Sequence, residues 1–305
     1  MRALAFIDTE RSAAPPYPNA ATFADFLVFY LFQLKHLVMR IQLLLFLLFP
    51  FTSLFAQSSL EESSFVYRTV SNNAYTVGER LKYSIRYGVV KAVNTEIAVV
   101  KDTVVRGRDC YKVEYKARTV PMFDNFYRVD DRYETFIDKQ GQFPHSFKQQ
   151  IREGNYAHDE WMEFYHDKGL ARSLIHNHEF YMVPYSQDIL SAYFYVRTMD
   201  LRSMKDGTII ELNHVSDKEV IPLKIKIRNR DLLETELGVF RTIVVEPIVK
   251  GIGLFKSEGQ VLIWMTDDEN KIPIRIKIKV IVGSLYADIE SMEGLRNPLN
   301  SKVQE

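Results

Sequence analysis

The chain has 305 residues, and its 39 basic side chains balance its 39 acidic ones. That balance excludes the basic excess expected of a nucleic-acid-binding protein. A single cysteine, Cys110, excludes an intramolecular disulfide and a cysteine-rich zinc site, while 47% apolar and 13% aromatic residues suffice for a large core.

Residues 1–38 begin irregularly, with Pro15, Pro16 and Pro18, and read as an over-extended N-terminus. Residues 39–56 predict a signal peptide: Lys35, His36 and Arg40 form a basic flank, Ile41–Phe55 is apolar, and Ala56 is a small residue before Gln57. The apolar run is about 15 residues, short of the ~20 that a spanning helix needs, and Pro50 interrupts it. A competing reading pairs it with the apolar stretch Phe23–Leu34 as a membrane hairpin. No cysteine stands at the cleavage point, which argues against a lipid anchor. Residues 57–71 read as a polar mature N-terminus, 72–292 as one β domain and 293–305 as a polar tail.

Within the domain, period-two alternation predicts strands over Glu79–Tyr87, Val93–Val105, Cys110–Arg118, Tyr127–Asp138, Phe143–Arg152, Tyr156–His166 and Leu170–Ile175. Turns every 8–12 residues between them predict a meander. Asp188–Asp200 is the one helix, capped by Ser186 or Asp188, with Ile189, Ala192, Tyr193 and Val196 on one face. Strand patterning resumes at Thr208–Asn213, Glu219–Asn229, Leu232–Leu237, Arg241–Glu246 and Gln260–Thr266. Val261–Ile289 reads as the closing hairpin of the sheet. Ile272, Ile274, Ile276, Ile278 and Val280 share its buried face, Trp264 is buried, and Asp267 and Asp268 serve the turn. The predicted fold is mainly β: a large curved antiparallel sheet or open β-barrel with one packed helix near 188–200.

No catalytic signature, metal site or cofactor motif emerges. His176 and His178 would share a face of an extended segment, near His158, Glu160 and His166, as a metal pair or as a solvated hairpin tip. Asp267, Asp268, Glu269 and Asn270 cluster oxygen donors without the spacing of a calcium loop, and so read as a turn. Arg128, Asp130, Arg132 and Glu134 alternate in sign along one face and predict a cross-strand ion-pair ladder; Asp131 and Asp138 lie on the same acidic strand. Aromatics concentrate between Tyr156 and Tyr195. From these, Trp161, Tyr165, Tyr181, Tyr185 and Tyr195, with Arg197, are the candidate ligand-binding residues, and packing of the helix onto the sheet is the competing explanation.

Four stretches resemble motifs of the DUF3108 family of exported bacterial proteins. They are Thr76–Tyr83, where Val77 replaces the usual proline; Asp131–Thr135 with Asp138; Gln187–Ala192 with Tyr195 and Arg197; and Ile263–Asp268 with Ile272 and Pro273. The Phe55-Ala56-Gln57 junction is similar to Bacteroidota signals. The resemblance implies a curved sheet or open barrel exported to the periplasm or outer-membrane periphery, and no established activity. Three functional readings follow. The first is a non-enzymatic envelope module that binds a lipid or other amphiphile, a lipoprotein segment or a glycan. The second is an assembly factor acting on envelope protein partners through a sheet edge. The third is a hydrolase using the acidic strand.

Overall fold

Alternating side chains commit most of the chain to strands, and the computed structural model describes residues 65–216, 218–248, 260–280 and 282–303. The predicted signal peptide and the residues up to 64 lie outside the described residues. The strands are β1 (Arg80–Tyr87), β2 (Val90–Val105), β3 (Arg108–Thr119), β4 (Asp130–Asp138), β5 (Pro144–Glu153), β6 (Tyr156–Tyr165), β7 (Leu170–Ser173) and β8 (His178–Tyr181). After the helix α1 (Ile189–Thr198) come β9 (Ile209–Val215), β10 (Val220–Thr235), β11 (Gly238–Ile248), β12 (Val261–Thr266), β13 (Pro273–Lys279) and β14 (Ser284–Glu293). They form one open antiparallel sheet in the order β8-β7-β6-β5-β4-β3-β2-β1-β14-β13-β12-β11-β10-β9.

This order corrects one expectation. The β12–β13 hairpin does not close the sheet, because β14 follows it and pairs with β1 from Arg80↔Glu293 to Tyr87↔Leu285. The alternating run after Ile272 stops at Lys279, and Gly283 takes the left-handed conformation (φ 79°) that turns the chain into β14. The first strand therefore gains partners on both sides, and among the described residues the outermost strands are β8 and β9, the latter bridged in part by Gln187, whose N donates to Asn213 O (2.7 Å) and whose O accepts from Val215 N (2.9 Å). Likewise, the two stretches expected at Glu219–Asn229 and Leu232–Leu237 are one 16-residue strand, β10. A register shift between Ile227 and Asn229 interrupts its alternation and made it read as two.

Helix α1 is buried on more than one side. Leu190 and Phe194 enter a core with Leu81, Val113, Ile137 and Phe164, while Ala192 and Val196 enter a second core with Ile210, Ile227 and Ile243. The single apolar stripe expected from the sequence is thus wrong in one member: Ile189 is exposed, since residues 190, 191, 192, 194, 196 and 197 supply the buried surface. Trp264, expected in the core, is half-buried, and its Nε1 donates to Asp231 Oδ2 at 3.0 Å from a neighbouring part of the sheet. An indole keeps its N–H at the wet margin when a partner lies there.

The segment after β14 folds back onto the sheet. Leu295 and Leu299 pack on the first core, Arg241 N donates to Ser301 O (2.9 Å), and Val303 N donates to Val239 O (2.8 Å).

Truncating a helix side chain inside the first core should be costly. We predict that Phe194→Ala, at a fully buried position, lowers stability by about 3–5 kcal/mol. Ile189→Ser should stay within about 0.5 kcal/mol of the parent. Urea unfolding of both variants checks this.

Candidate functional site

The four stretches singled out in the sequence meet inside the protein. Arg197, on α1, has no solvent exposure. Its Nη1 and Nη2 donate to Glu79 Oε1 (2.6 Å) and Oε2 (2.8 Å), just before β1, and its Nε donates to Asn270 O (3.0 Å) in the β12–β13 tip. Burial works against its charge, but the Glu79 carboxylate beside it outweighs this and holds the guanidinium protonated. Arg197 was a candidate ligand-binding residue. Its enclosure and its committed donors remove it from that role, so it belongs to the frame.

Asp188 does two jobs from the N-terminus of α1. Its Oδ1 accepts from Leu190 N (2.8 Å) and Ser191 N (2.9 Å), and its Oδ2 accepts from Thr135 Oγ1 (2.6 Å) on β4. Burial pushes its pKa up to about 6 against these bonds. Asp138, at the end of β4, contacts Arg108, His145 Nε2 (3.0 Å) and Gly141 N (2.6 Å). Burial pushes Asp138 up, but these partners together hold it well below the usual carboxylate range. Asp268 is equally enclosed. It accepts from Thr266 Oγ1 (2.9 Å), Asn270 N (3.0 Å) and Ser301 Oγ (2.7 Å), tying the hairpin to the C-terminal segment.

The aromatic candidates do not converge. Tyr185 and Tyr195 sandwich the Arg68 guanidinium at 4.5 and 4.4 Å. Tyr165 lies beneath Arg106 (4.2 Å) and donates to Glu163 Oε2 at 2.5 Å. Tyr181 is almost fully exposed on the edge strand β8. Trp161 points away from the core, under Lys148 Nζ at 3.9 Å, and donates from Nε1 to Ser146 Oγ (3.1 Å).

Trp161 lies on a groove of about 460 Å³ that runs across β3–β6 on the polar face. Register explains its walls. Glu114, Glu134, Lys148 and Trp161 are cross-strand neighbours, as are Lys116, Arg132, Gln150 and Asp159. Lys112 holds one wall together through Glu134 (2.6 Å) and Glu114 (2.9 Å). Asp130 bonds Arg118 (3.2 Å) and Arg132 (3.4 Å), so alternating charges of the acidic strand do pair. The sequence named Trp161 but missed the groove, because pairing register between distant strands leaves no mark in one sequence. Nor did any signal mark Arg68, which stands outside the strands.

Among the described residues, no group of three or more His, Cys, Asp or Glu is placed to hold a metal ion. His176 lies in the β7–β8 turn and His178 opens β8, and His176 Nε2 lies 3.7 Å from Glu160 Oε2. Burial pushes the Cys110 thiol up to about 12, which leaves it unreactive as a nucleophile.

Below the sheet, His166 is buried with both ring nitrogens engaged: Nε2 lies 2.7 Å from Pro144 O, and Tyr185 N donates to Nδ1 at 2.9 Å. A second ring proton would face the Tyr185 N–H, and burial lowers the pKa to about 3. The unfolded chain therefore binds a proton below about pH 6.5 that the folded chain refuses until about pH 3. Stability from this group is complete above pH 6.5 and falls by about 1.4 kcal/mol per pH unit through that window. Asp188, with its raised pKa, acts in the opposite sense between about pH 4 and 6. We predict that His166→Gln flattens the acid limb of stability against pH, measured by urea unfolding at pH 4, 5 and 7. Asp268→Ala should cost about 2 kcal/mol by leaving buried donors unpaired.

Known proteins resemble the chain chiefly in architecture. A β-barrel-like protein of domain of unknown function DUF1849 from Brucella abortus is 7% identical, with a TM-score of 0.46, over 72% of this chain and 98% of that one. A candidate exported protein with a YmcC-like fold from Bacteroides fragilis is 8% identical, with a TM-score of 0.33, over 73% and 99%. No curated protein matches the sequence. The description of DUF3108, a family of proteins of unknown function, matches residues 82–290, and the chain belongs to that family.

Proposed function

We propose that this protein is a non-enzymatic binding module of the bacterial cell envelope that holds a glycan in the polar groove across β3–β6. The observation carrying this reading is the groove itself, about 460 Å³ with Trp161 at one end. Its walls alternate carboxylates with lysine and arginine, and such rows hydrogen-bond a hydroxyl-rich chain while an indole offers it an apolar face. A lipid tail suits that lining poorly. The core interior is filled by Phe194, Tyr75 and their neighbours around α1. Export is inferred from Arg40, the apolar run 41–55 and Ala56.

Binding is favoured over hydrolysis because the carboxylates of the acidic strand are committed. Asp138 is enclosed by Arg108 and His145, and Asp130 and Glu134 are paired across strands. A second reading keeps the sheet edge as a site for a protein partner. It rests on β8, an outermost strand of the sheet among the described residues, where Tyr181 stands 89% exposed.

The chain has two tryptophans, so Trp264→Phe leaves Trp161 as the one indole reporter. Titration with chito-oligosaccharides and dextran oligomers should shift its emission saturably for at least one class. Calorimetry on Trp161→Ala should show roughly tenfold weaker binding of the same ligand. Unchanged emission with every oligosaccharide, or unchanged affinity in Trp161→Ala, would contradict the glycan reading.

A further inference from the structure

The groove across β3–β6 does not end at β3. A second depression of about 500 Å³, lined mainly from β1, β2, β3 and β4, shares Lys116 and Arg132 with it. Register explains the continuity. Lys82 stands opposite Glu96, Glu96 opposite Lys116, Lys116 opposite Arg132, Arg132 opposite Gln150, and Gln150 opposite Asp159. These residues form one row over the consecutive strands β1 to β6, and none of them is buried. Neighbouring strands lie about 4.8 Å apart, so the row is roughly 24 Å long.

Charge along the row cancels locally. Glu96 is paired with Arg80, Lys116 with Glu114 (2.9 Å), Arg132 with Asp130 (3.4 Å) and Asp159 with Arg152 (2.7 Å). Across both depressions, Lys82, Lys116, Arg118, Arg132 and Lys148 face at least as many carboxylates. A polyanion or a polycation would therefore meet its own sign at intervals along the path. Hydroxyls meet no such obstacle, because each both donates and accepts and so bonds carboxylate and ammonium alike. Exposed ion pairs hold their partners weakly, which leaves these groups able to share hydrogen bonds with a ligand.

We propose that the groove takes an extended, uncharged polysaccharide segment of about five or six sugar units, lying across the strands with roughly one ring per strand. This rests on the glycan reading above and adds the length, direction and charge of the ligand. Trp161 stands two residues along β6 from Asp159, opposite Lys148, and supplies an indole face for a ring at that end. The far end lies on β1 and β2, where Lys82 and Asn94 are exposed and offer ammonium and amide groups to hydroxyls. A disaccharide would span only part of the row and leave the rest in water.

The test is a length series. Fully N-acetylated chito-oligosaccharides and dextran oligomers of two to seven units are titrated into the Trp264→Phe chain, followed by Trp161 emission and by calorimetry. For a class that binds, affinity should rise roughly tenfold between three and six units and level off beyond six. The combined change Lys82→Ala, Asn94→Ala, at two exposed positions, should erase most of that gain by weakening the six-unit oligomer. Six-unit oligogalacturonate and six-unit deacetylated chitosan, one acidic and one basic, should bind roughly tenfold more weakly than the neutral oligomer of that length. Equal affinity for three and six units, or a length gain that survives the Lys82→Ala, Asn94→Ala change, would overturn the extended site and leave the glycan reading standing. A charged oligomer that binds as tightly as the neutral one would overturn the uncharged assignment. No binding by any oligomer would remove the glycan reading and this inference together.

Discussion

A guanidinium removed from water must find its charge and its hydrogen bonds inside the protein, and Arg197 finds both in Glu79. That pair fixes the rest of the architecture, because its members come from α1 and from the start of β1, while Asn270 O brings in the β12–β13 tip. The helix thereby contributes to two cores, the first drawing on strands from across the sheet and the second on β9–β12. Removing one partner would leave an uncompensated charge, which costs far more than the intact pair contributes. Neither partner can therefore change alone.

The same end of the molecule holds three more enclosed carboxylates. Asp188 joins the helix to β4, Asp138 closes the β4–β5 turn, and Asp268 closes the β12–β13 turn onto the C-terminal segment. Acidic conditions act mainly on the cross-linked end, through His166 and Asp138.

Much of this fold was legible from residue order alone. Period-two alternation marked β1 and β3 because one face of each is buried and the other is wet; β13 was read correctly as a strand, but of the residues expected on its buried face Ile276, Ile278 and Val280 are only half-buried while Ile272 and Ile274 are enclosed. Alternation failed at β8, which has four residues, and at β14, whose hydrophobic positions are weakly spaced. The helix was visible from its cap at Asp188, but not its burial on several sides, because a buried arginine reads as a polar position. Asp267–Lys271 read as a polar turn, and nothing in the sequence showed that Asp268 and Asn270 within it are enclosed. Of the site, the sequence offered Trp161. Its neighbours across the groove come from strands up to 47 residues away, and their alignment follows from register. The motifs that carried the family resemblance mark this chain's internal frame, with Glu79, Asp188, Arg197 and Asp268 holding it together.

The measurement that bears most directly on this account is a double-mutant cycle on the central pair. Glu79→Gln, Arg197→Met and the double variant would be unfolded in urea beside the parent chain. The account predicts that each single change costs about 3–5 kcal/mol and that the double variant loses little more than either alone. A double variant that loses the sum of the two single costs would show that the residues act independently, and would contradict the claim that this ion pair holds the helix to the sheet.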